Sequence, residues 1–444
     1  MHPTRRDVLR AGAAAALAAA TPSSAYAQQL IFTPSSDLLP RTGRRRVVIA
    51  GGGWGGMTAA RHLRVLAPDL EVVMLERNPS FFSGPLSNTW NIDVVDTDFL
   101  AHSYASAAQQ HGYTYVQTEI FDIDRAAKKV ATARGTIAYD WLVLSPGIRY
   151  AFEPWFGNDR KAIAHTMANY PTAYIPTAEY QIVRRKIRNF KGGTFVMTLP
   201  PPPHRCPPSP YERACLMAWW YKTNKIPAKI VILDPKPRIM PITLGFRTAF
   251  EELYPDIITH VPNATIKEVD PFNKVVKTAA GDFKFDDALL MSPHQAGDLA
   301  FKANIIGTTP ENKSTGWAAV HPLYYNVKDD PQVFVVGDSV GAVSPQFGHY
   351  PKSAHVANRM ARAAAQYIAW QAKEQELKPI IIDNLCFLLV NAGPKEAVAV
   401  QFDYKIGPEG HLIQTQMDDN ERRAKLWEED LRWAKLTFAD FAAT

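Results

Sequence analysis

The chain has 444 residues, 46% of them apolar, and these figures predict a globular protein of two or three domains rather than a disordered or fibrous one. Its formal net charge is +6, but the basic residues are scattered, with no basic stripe that contains aromatic residues, which argues against a nucleic-acid-binding surface. The three cysteines, Cys206, Cys215 and Cys386, match no zinc spacing and no haem attachment motif, and we expect no metal site.

The N-terminus has the features of an export signal. Arg5 and Arg6 form a twin arginine, an apolar run follows from Ala11 to Ala20, and Ala25-Tyr26-Ala27 is a small-x-small cleavage site. The alternative, an amphipathic first helix, does not fit because the run has no polar face. We expect residues 1–27 to be a twin-arginine signal peptide removed near Ala27, and the mature protein to be periplasmic. No later stretch has enough uninterrupted apolar residues to cross a membrane.

A dinucleotide-binding motif begins at Arg46. The apolar stretch Arg46–Ala50 predicts a buried strand, and the helical stretch Met57–Leu66 follows a glycine-rich turn. In that turn Gly51 permits the tight bend, Gly53 lets the backbone approach a pyrophosphate, and Gly56 lets helix and strand pack closely. The helix N-terminus presents unpaired N–H groups to the phosphates.

The second strand of this unit ends in an acid. Residues 71–75 are predicted to form that strand, and Glu76 follows it about 20 residues beyond the glycines, where an acid binds ribose hydroxyls. We count Glu76 and its neighbour Arg77 among the cofactor-binding residues. The strand, glycines, helix, strand and acid in this order favour a dinucleotide site over a coincidental loop.

Two later strand ends favour FAD over NAD. The apolar strand Trp141–Leu144 ends in Ser145-Pro146-Gly147, a turn that commonly closes the first half of flavoproteins with two dinucleotide domains. Another buried strand, Val333–Val336, ends in Gly337-Asp338, where such flavoproteins use the Asp to accept a hydrogen bond from the ribityl chain of FAD. Asp338 as a plain helix N-cap is the alternative. We expect Gly147, Gly337 and Asp338 to contact FAD.

The middle of the chain repeats the strand-then-turn pattern without its glycines. The predicted strands Gly192–Leu199 and Lys229–Asp234 resemble the start of an NAD domain, but the turn after the first contains Pro200–Pro203. Proline has no N–H to offer a phosphate and is bulky, so this turn does not hold a pyrophosphate. We expect no electron exchange with NAD(P)H.

The stretch Arg205–Ala214 resembles a loop in the flavoprotein subunit of flavocytochrome c sulfide dehydrogenase, within the wider sulfide:quinone oxidoreductase group. Shorter stretches at residues 86–88, 145–148, 337–338, 351–353 and 384–386 agree, and the likeness runs from about Arg46 to the C-terminus. The resemblance implies a glutathione-reductase-like fold, a small sulfur-containing substrate, and electron transfer to a c-type cytochrome subunit or soluble cytochrome c. Any haem c would lie on that partner, because this chain has no attachment motif.

Two departures from the family pattern affect the expected chemistry. The family attaches FAD through a cysteine at the position of Gly84, so we expect noncovalent FAD here. The family also has a redox disulfide beside the flavin. Cys206 matches one half, and we place the other just after Asp338, where this chain has Val340. We therefore expect Cys206 to lack a partner thiol, which puts the disulfide route of sulfide oxidation in doubt.

Three residues are candidates for catalysis, and the resemblance places them near the flavin. Cys206 could attack sulfur as a thiolate if its pKa is lowered, or it could be a retained packing residue. Glu212 could accept a proton, or it could be an ordinary acid in the first turn of a helix. Lys352 could stabilise anionic reduced flavin, although the N-terminus of the helix that follows is the stronger candidate for that role.

Together these observations predict an α/β protein with two Rossmann-like domains in a glutathione-reductase-like arrangement and a C-terminal α+β interface domain. The predicted segments are 44–150 and 288–375 for FAD binding, 151–287 for the middle domain and 376–444 for the C-terminal domain. Two other functions stay open: an FAD oxidoreductase for a small organic donor, and a flavin electron-carrier subunit without its own substrate. The amphipathic stretch Leu426–Trp433, which includes Asp430, is expected to pack against its own domain.

Overall fold

The computed structural model describes residues 36–176 and 178–443, so the predicted signal peptide lies outside the described residues. The strands are β1 (Arg46–Ala50), β2 (Glu71–Glu76), β3 (Ser80–Phe82), β4 (Ala101–Ser103), β5 (Thr114–Gln117), β6 (Ile120–Asp124), β7 (Lys129–Thr132), β8 (Gly135–Ala138), β9 (Trp141–Leu144), β10 (Ile148–Tyr150), β11 (Gly193–Thr198), β12 (Ala228–Leu233), β13 (Ile258–Val261), β14 (Ile266–Asp270), β15 (Val275–Thr278), β16 (Gly281–Lys284), β17 (Asp287–Leu290), β18 (His294–Ala296), β19 (Ile306–Thr308), β20 (Ser314–Ala318), β21 (Asn326–Val327), β22 (Asp330–Val335), β23 (Asp383–Ala392), β24 (Lys395–Ile406) and β25 (Leu412–Arg423).

The α-helices are α1 (Trp54–Leu66), α2 (Ser87–Trp90), α3 (Thr97–Leu100), α4 (Tyr104–His111), α5 (Glu153–Phe156), α6 (Arg160–Asn169), α7 (Glu179–Asn189), α8 (Ser209–Thr223), α9 (Thr243–Thr248), α10 (Asp298–Lys302), α11 (Ala354–Ala372) and α12 (Ala424–Phe441). A π-helical turn, Ala249–Leu253, continues α9, and a 3₁₀ turn, Gly337–Ser339, follows β22.

The first sheet joins the early and late parts of the chain. Its strand order is β21-β22-β9-β1-β2-β5, and every pair is parallel except β21 with β22. The central strands β1 and β9 are buried along their whole length, as their uninterrupted apolar sequences predict. Because parallel strands end at one edge, the turns after β1, β2, β9 and β22 lie together.

A second, fully parallel sheet is formed by the middle of the chain in the order β13-β12-β11-β17. Its inner face has a separate apolar cluster that includes Val196, Leu233, Ala288 and Leu290. The two parallel sheets confirm the predicted pair of Rossmann-like units. The domain boundaries assigned from sequence stay a prediction.

The C-terminal part is an antiparallel meander, β23-β24-β25, covered by α12. Helix α8 packs on β23, and α12 also contacts α1, where Trp433 stacks on Trp54 with ring centroids 5.3 Å apart. The predicted α+β character of this part is confirmed, and α12 buries Leu426, Ala434 and Phe438 on one face. Among the described residues, no helix is both long and apolar enough to span a membrane.

Close backbone packing fixes the glycine-rich turn. Gly51 has a φ of +103°, and a Cβ there would lie 2.4 Å from the Ser145 carbonyl oxygen. A Cβ on Gly56 would lie 1.9 Å from the Gly51 carbonyl oxygen, whereas one on Gly53 would meet nothing within 4 Å. The helix begins at Trp54, three residues before the predicted Met57, so Gly56 lies in its first turn.

We expect Gly56→Ala to destabilise the fold by about 1–3 kcal/mol, because the new methyl group must push helix α1 away from β1. The matched control is Gly53→Ala, whose methyl group has open space and is expected to leave the free energy of unfolding within about 1 kcal/mol of the parent. Urea unfolding of both variants measures the difference. Equal stability of the two would show that the contact with Gly51 is not a constraint.

Candidate functional site

A long groove runs along the carboxyl edge of the first sheet. Seven of the eight predicted cofactor-binding residues line it, in the list Gly51, Gly53, Glu76, Arg77, Gly147, Gly337 and Asp338. The eighth, Gly56, lies beneath the groove, where it lets α1 approach β1. The first residues of α11 also line the groove, so two helix N-termini, those of α1 and α11, face it.

Glu76 holds the glycine-rich turn in place. Its carboxylate accepts a hydrogen bond from the Gly52 N–H at 2.8 Å, and from the backbone and side-chain nitrogens of Asn78 at 2.9 and 2.8 Å. Arg77 is largely exposed and lies 3.9 Å from Glu119 at the end of the groove. The acid predicted from its spacing therefore also organises the turn that would receive the phosphates.

Arg205, which the sequence analysis did not assign, forms a buried ion pair with Asp338. Its Nε lies 3.1 Å from the Asp338 carboxylate, and the Asp338 side chain is only 8% exposed. The guanidinium also occupies the space over Gly84, where a Cβ would lie 3.2 Å from Nη2 of Arg205. Asp338 is thus held by a cation from the proline-rich loop and does not cap a helix through its side chain.

A second cavity adjoins the groove, and Arg205, Ser353 and Ala354 line both. It contains the three predicted catalytic residues, Cys206, Glu212 and Lys352. It also contains two groups that the sequence analysis did not place there, Cys386 and Asp430. The cavity is therefore lined by residues from the parts of the chain that form the first parallel sheet, the second parallel sheet and the C-terminal antiparallel sheet.

Cys206 is held by backbone contacts in a left-handed conformation. Its φ is +46°, its N–H donates to the Lys352 carbonyl at 2.9 Å, and its own carbonyl accepts from the Ser209 N–H at 3.0 Å. Burial raises the pKa of the thiol strongly, and the nearby Cys386 and Glu212 raise it further. These surroundings do not supply the lowered pKa that a Cys206 thiolate would need, because desolvation disfavours the charged form.

Cys386 supplies a second thiol to the same cavity. It lies on β23, where the Asn384 side-chain amide donates to its Sγ at 3.5 Å, and the Ser353 hydroxyl in turn donates to Asn384 at 2.6 Å. Burial raises the pKa of Cys386 to about 11. The position at Val340 offers no thiol, and Cys386 is instead the second free thiol that lines this cavity with Cys206.

Glu212 is a buried carboxyl with defined partners. It accepts hydrogen bonds from the Asn88 amide at 2.6 Å and from the Leu389 N–H at 2.9 Å, and Arg213 holds the other end of Asn88 at 2.8 Å. Burial raises the pKa of Glu212 to about 7, and these donors limit the rise. A carboxyl that titrates near neutral pH is suited to exchange protons during catalysis.

Lys352 lies just before the N-terminus of α11. Its Nζ donates to the Val340 carbonyl at 2.8 Å and lies 3.9 Å from the ring centroid of Trp317. Burial lowers the pKa of Lys352 to about 7, and Asp338 opposes that shift. The Lys352 ammonium group already interacts with the Val340 carbonyl and the Trp317 ring. The N-terminal turn of α11 faces both cavities, so the helix N-terminus is the better candidate for stabilising an anionic cofactor.

The middle sheet lacks a free nucleotide-binding acid. Asp234 directly follows β12, at the position of a ribose-binding acid, but it is fully buried and accepts hydrogen bonds from Tyr211, Lys236 and His260. The turn after β11 consists of prolines that have no N–H for a phosphate. The middle sheet therefore offers neither a phosphate-binding turn nor a free ribose-binding acid to a second dinucleotide.

Comparison with known proteins agrees with this geometry. Residues 180–290 match the central domain of the flavoprotein chain of sulfide dehydrogenase [flavocytochrome c], and residues 45–169 match the pyridine nucleotide-disulphide oxidoreductase family. The sulfide:quinone oxidoreductase of Aquifex aeolicus has a similar structure, with 20% identity and a TM-score of 0.70 over 88% of this chain and 90% of that chain. A ferredoxin reductase of Rhodopseudomonas palustris matches with 16% identity and a TM-score of 0.59 over 82% and 83% of the two chains. The predicted resemblance and fold class are confirmed.

We expect NADH and NADPH not to reduce the loaded protein at a useful rate, because the prolines after β11 and the occupied Asp234 leave no site for them. Anaerobic stopped-flow mixing monitored at the flavin absorbance band measures this directly. Dithionite serves as the positive control for a reducible flavin. Rapid bleaching by either nucleotide would show that the middle sheet binds it in another way.

Proposed function

We propose that this FAD-dependent oxidoreductase of the sulfide dehydrogenase type oxidises a small sulfur compound and passes the electrons to a c-type cytochrome in the periplasm. One observation carries the proposal: two thiols and a carboxyl with a pKa near 7 line one buried cavity that adjoins the dinucleotide groove. The cytochrome partner is supported by the match to the flavoprotein chain of a flavocytochrome c, and the location by the twin-arginine sequence.

The groove fits FAD. It has an open backbone position at Gly53, two helix N-termini and a buried acid, Asp338, at its junction with the second cavity. Gly51, Gly53 and α1 would hold the phosphates, Glu76 the ribose, and Asp338 with Arg205 the ribityl chain. Bound FAD would supply two-electron acceptance from the substrate and one-electron release to the partner.

The residues of the second cavity handle the sulfur and its protons. Because burial keeps both thiols protonated, a reacting thiol must lose its proton to a base, and Glu212 is the group whose pKa suits that transfer. Formation of an S–S bond between one of these thiols and a sulfide-level sulfur releases two electrons, which bound FAD would accept, and protons, which Glu212 can take up. Exchange that moves the sulfur between Cys206 and Cys386 requires both thiols. The prolines around Cys206 and the β23 pairing of Cys386 keep both side chains on rigid backbone.

We expect FAD to be bound without a covalent link, because Gly84 offers no nucleophile and the Arg205 guanidinium fills the space beside it. Acid precipitation of the yellow protein should release the colour into the supernatant. The Gly84→Cys variant is the informative companion, since it restores the thiol that the related family uses. Colour that stays with the parent pellet would contradict noncovalent binding.

The proposed chemistry is tested by Cys206→Ser and Cys386→Ser, each of which should abolish flavin reduction by hydrosulfide or a thiol while FAD stays bound. Cys215→Ser is the control for exchanging a buried thiol, because Cys215 lies within α8 outside the cavity. Glu212→Gln should slow the reaction by roughly 10²-fold or more through loss of the proton acceptor.

The same variants distinguish the alternative with an organic donor. In that case both serine variants should keep full activity with the organic substrate, while Glu212→Gln stays damaging, because only the carboxyl would then be required. Anaerobic single-turnover mixing, with absorbance recorded at the flavin band, gives all the rates. Full hydrosulfide oxidation by both serine variants would rule out the thiol route.

A further inference from the structure

Asp430 is a buried acid without a partner. It lies on the face of α12 that also carries Leu426, Ala434 and Phe438, and its side chain is 5% exposed. Its carboxyl lines the second cavity, yet within the described residues it makes no hydrogen bond and no ion pair. Buried polar groups are almost always paired in native proteins, so an unpaired acid that faces a cavity indicates a ligand.

The surroundings of Asp430 favour the neutral form of its carboxyl. Burial raises its pKa well above the usual range, and the charge of Glu212 raises it further. A protonated carboxyl has one O–H donor, and no protein group among the described residues accepts from it. Asp430 thus offers a hydrogen bond to a molecule that enters.

The charges around Asp430 favour an anion as that molecule. Other titratable or charged groups also line the cavity, in the list Tyr174, Tyr180, Arg205, Cys206, Glu212, Arg213, Lys352, His355 and Cys386. Of these, Arg205 is paired with Asp338, which lies in the adjoining groove. His355 is engaged with Asp383 and the Trp433 indole. Lys352 and Glu212 both have a pKa of about 7, so their partial charges offset each other, and the Arg213 guanidinium leaves the cavity with a positive balance that attracts an anion.

We propose that Asp430 is a substrate-contacting acid that donates a hydrogen bond to a small sulfur monoanion, such as hydrosulfide, bound beside Cys206 and Cys386. This inference rests on the proposed function and narrows its substrate class to an anionic sulfur group. A neutral acid serves this purpose better than a charged one, because it binds the anion without repelling it. Without a bound anion, the buried carboxyl of Asp430 has no hydrogen-bond partner, and this destabilises the folded protein.

Two substitutions test the role. Asp430→Asn keeps a neutral donor of the same size, and Asp430→Leu removes the donor while it fills the space. We expect Asp430→Leu to raise the half-saturating hydrosulfide concentration for flavin bleaching about tenfold, the loss of one hydrogen bond to a charged group. Asp430→Asn should stay within about threefold of the parent. Glu428→Gln, an exposed acid on the same helix, is the control and should change nothing.

A readout on the apoprotein separates this role from a structural one. Asp430→Leu should unfold at the same temperature as the parent or higher, since it removes an unpaired buried polar group. Thiocyanate, a sulfur anion that cannot form a persulfide, should raise the Tm of the parent apoprotein, and Asp430→Leu should lose that shift.

Each outcome decides the proposal. A lowered Tm of Asp430→Leu together with an unchanged thiocyanate shift would make Asp430 a structural residue, and a parent without any shift would remove the anion site. If hydrosulfide does not bleach the parent flavin, the proposed function fails, and the thiocyanate shifts still decide whether Asp430 binds an anion.

Discussion

The ion pair between Arg205 and Asp338 fastens the proline-rich loop of the middle sheet to the end of β22 in the first sheet, and both cavities are built around it. The next residue adds a second contact: the Cys206 N–H donates a hydrogen bond to the Lys352 carbonyl. Removing one partner of a buried pair leaves an uncompensated charge, at a cost of about 3–5 kcal/mol. The position of the Cys206 thiol thus depends on an acid that the sequence pattern assigns to the cofactor.

Desolvation sets the chemistry of the second cavity. The same burial raises the pKa of Cys206, Cys386, Glu212 and Asp430 and lowers that of Lys352, so each group is shifted toward its neutral form. Glu212 differs from Asp430 because two N–H donors stabilise its carboxylate and limit the shift. Two acids in one cavity therefore differ in protonation state near neutral pH, one able to exchange a proton and the other held as a donor.

The sequence predicted the dinucleotide groove well, because each of its residues stands at the end of a recognisable parallel strand and such ends meet at one edge. In the second cavity it identified Cys206, Glu212 and Lys352 but not Arg205, Cys386 and Asp430. These three residues reach the cavity through the packing of the loop before α8, of β23 and of α12, which no local pattern encodes. Asp430 did leave a signal. It falls four residues after Leu426 and four before Ala434, on the apolar side of α12, so helical periodicity marks it as an acid on a buried face.

The turn after β1 in the first parallel sheet and the turn after β11 in the second differ in their ability to bind a phosphate. After β1, glycines expose N–H groups and open space at Gly53, which suits a phosphate. After β11, prolines remove the N–H groups, and the loop instead carries Arg205 to Asp338 and Cys206 to the second cavity. Since Tyr211, Lys236 and His260 also satisfy Asp234 internally, the middle sheet serves as a rigid support. The turn after β11 therefore positions the Cys206 thiol in the second cavity and does not bind a phosphate.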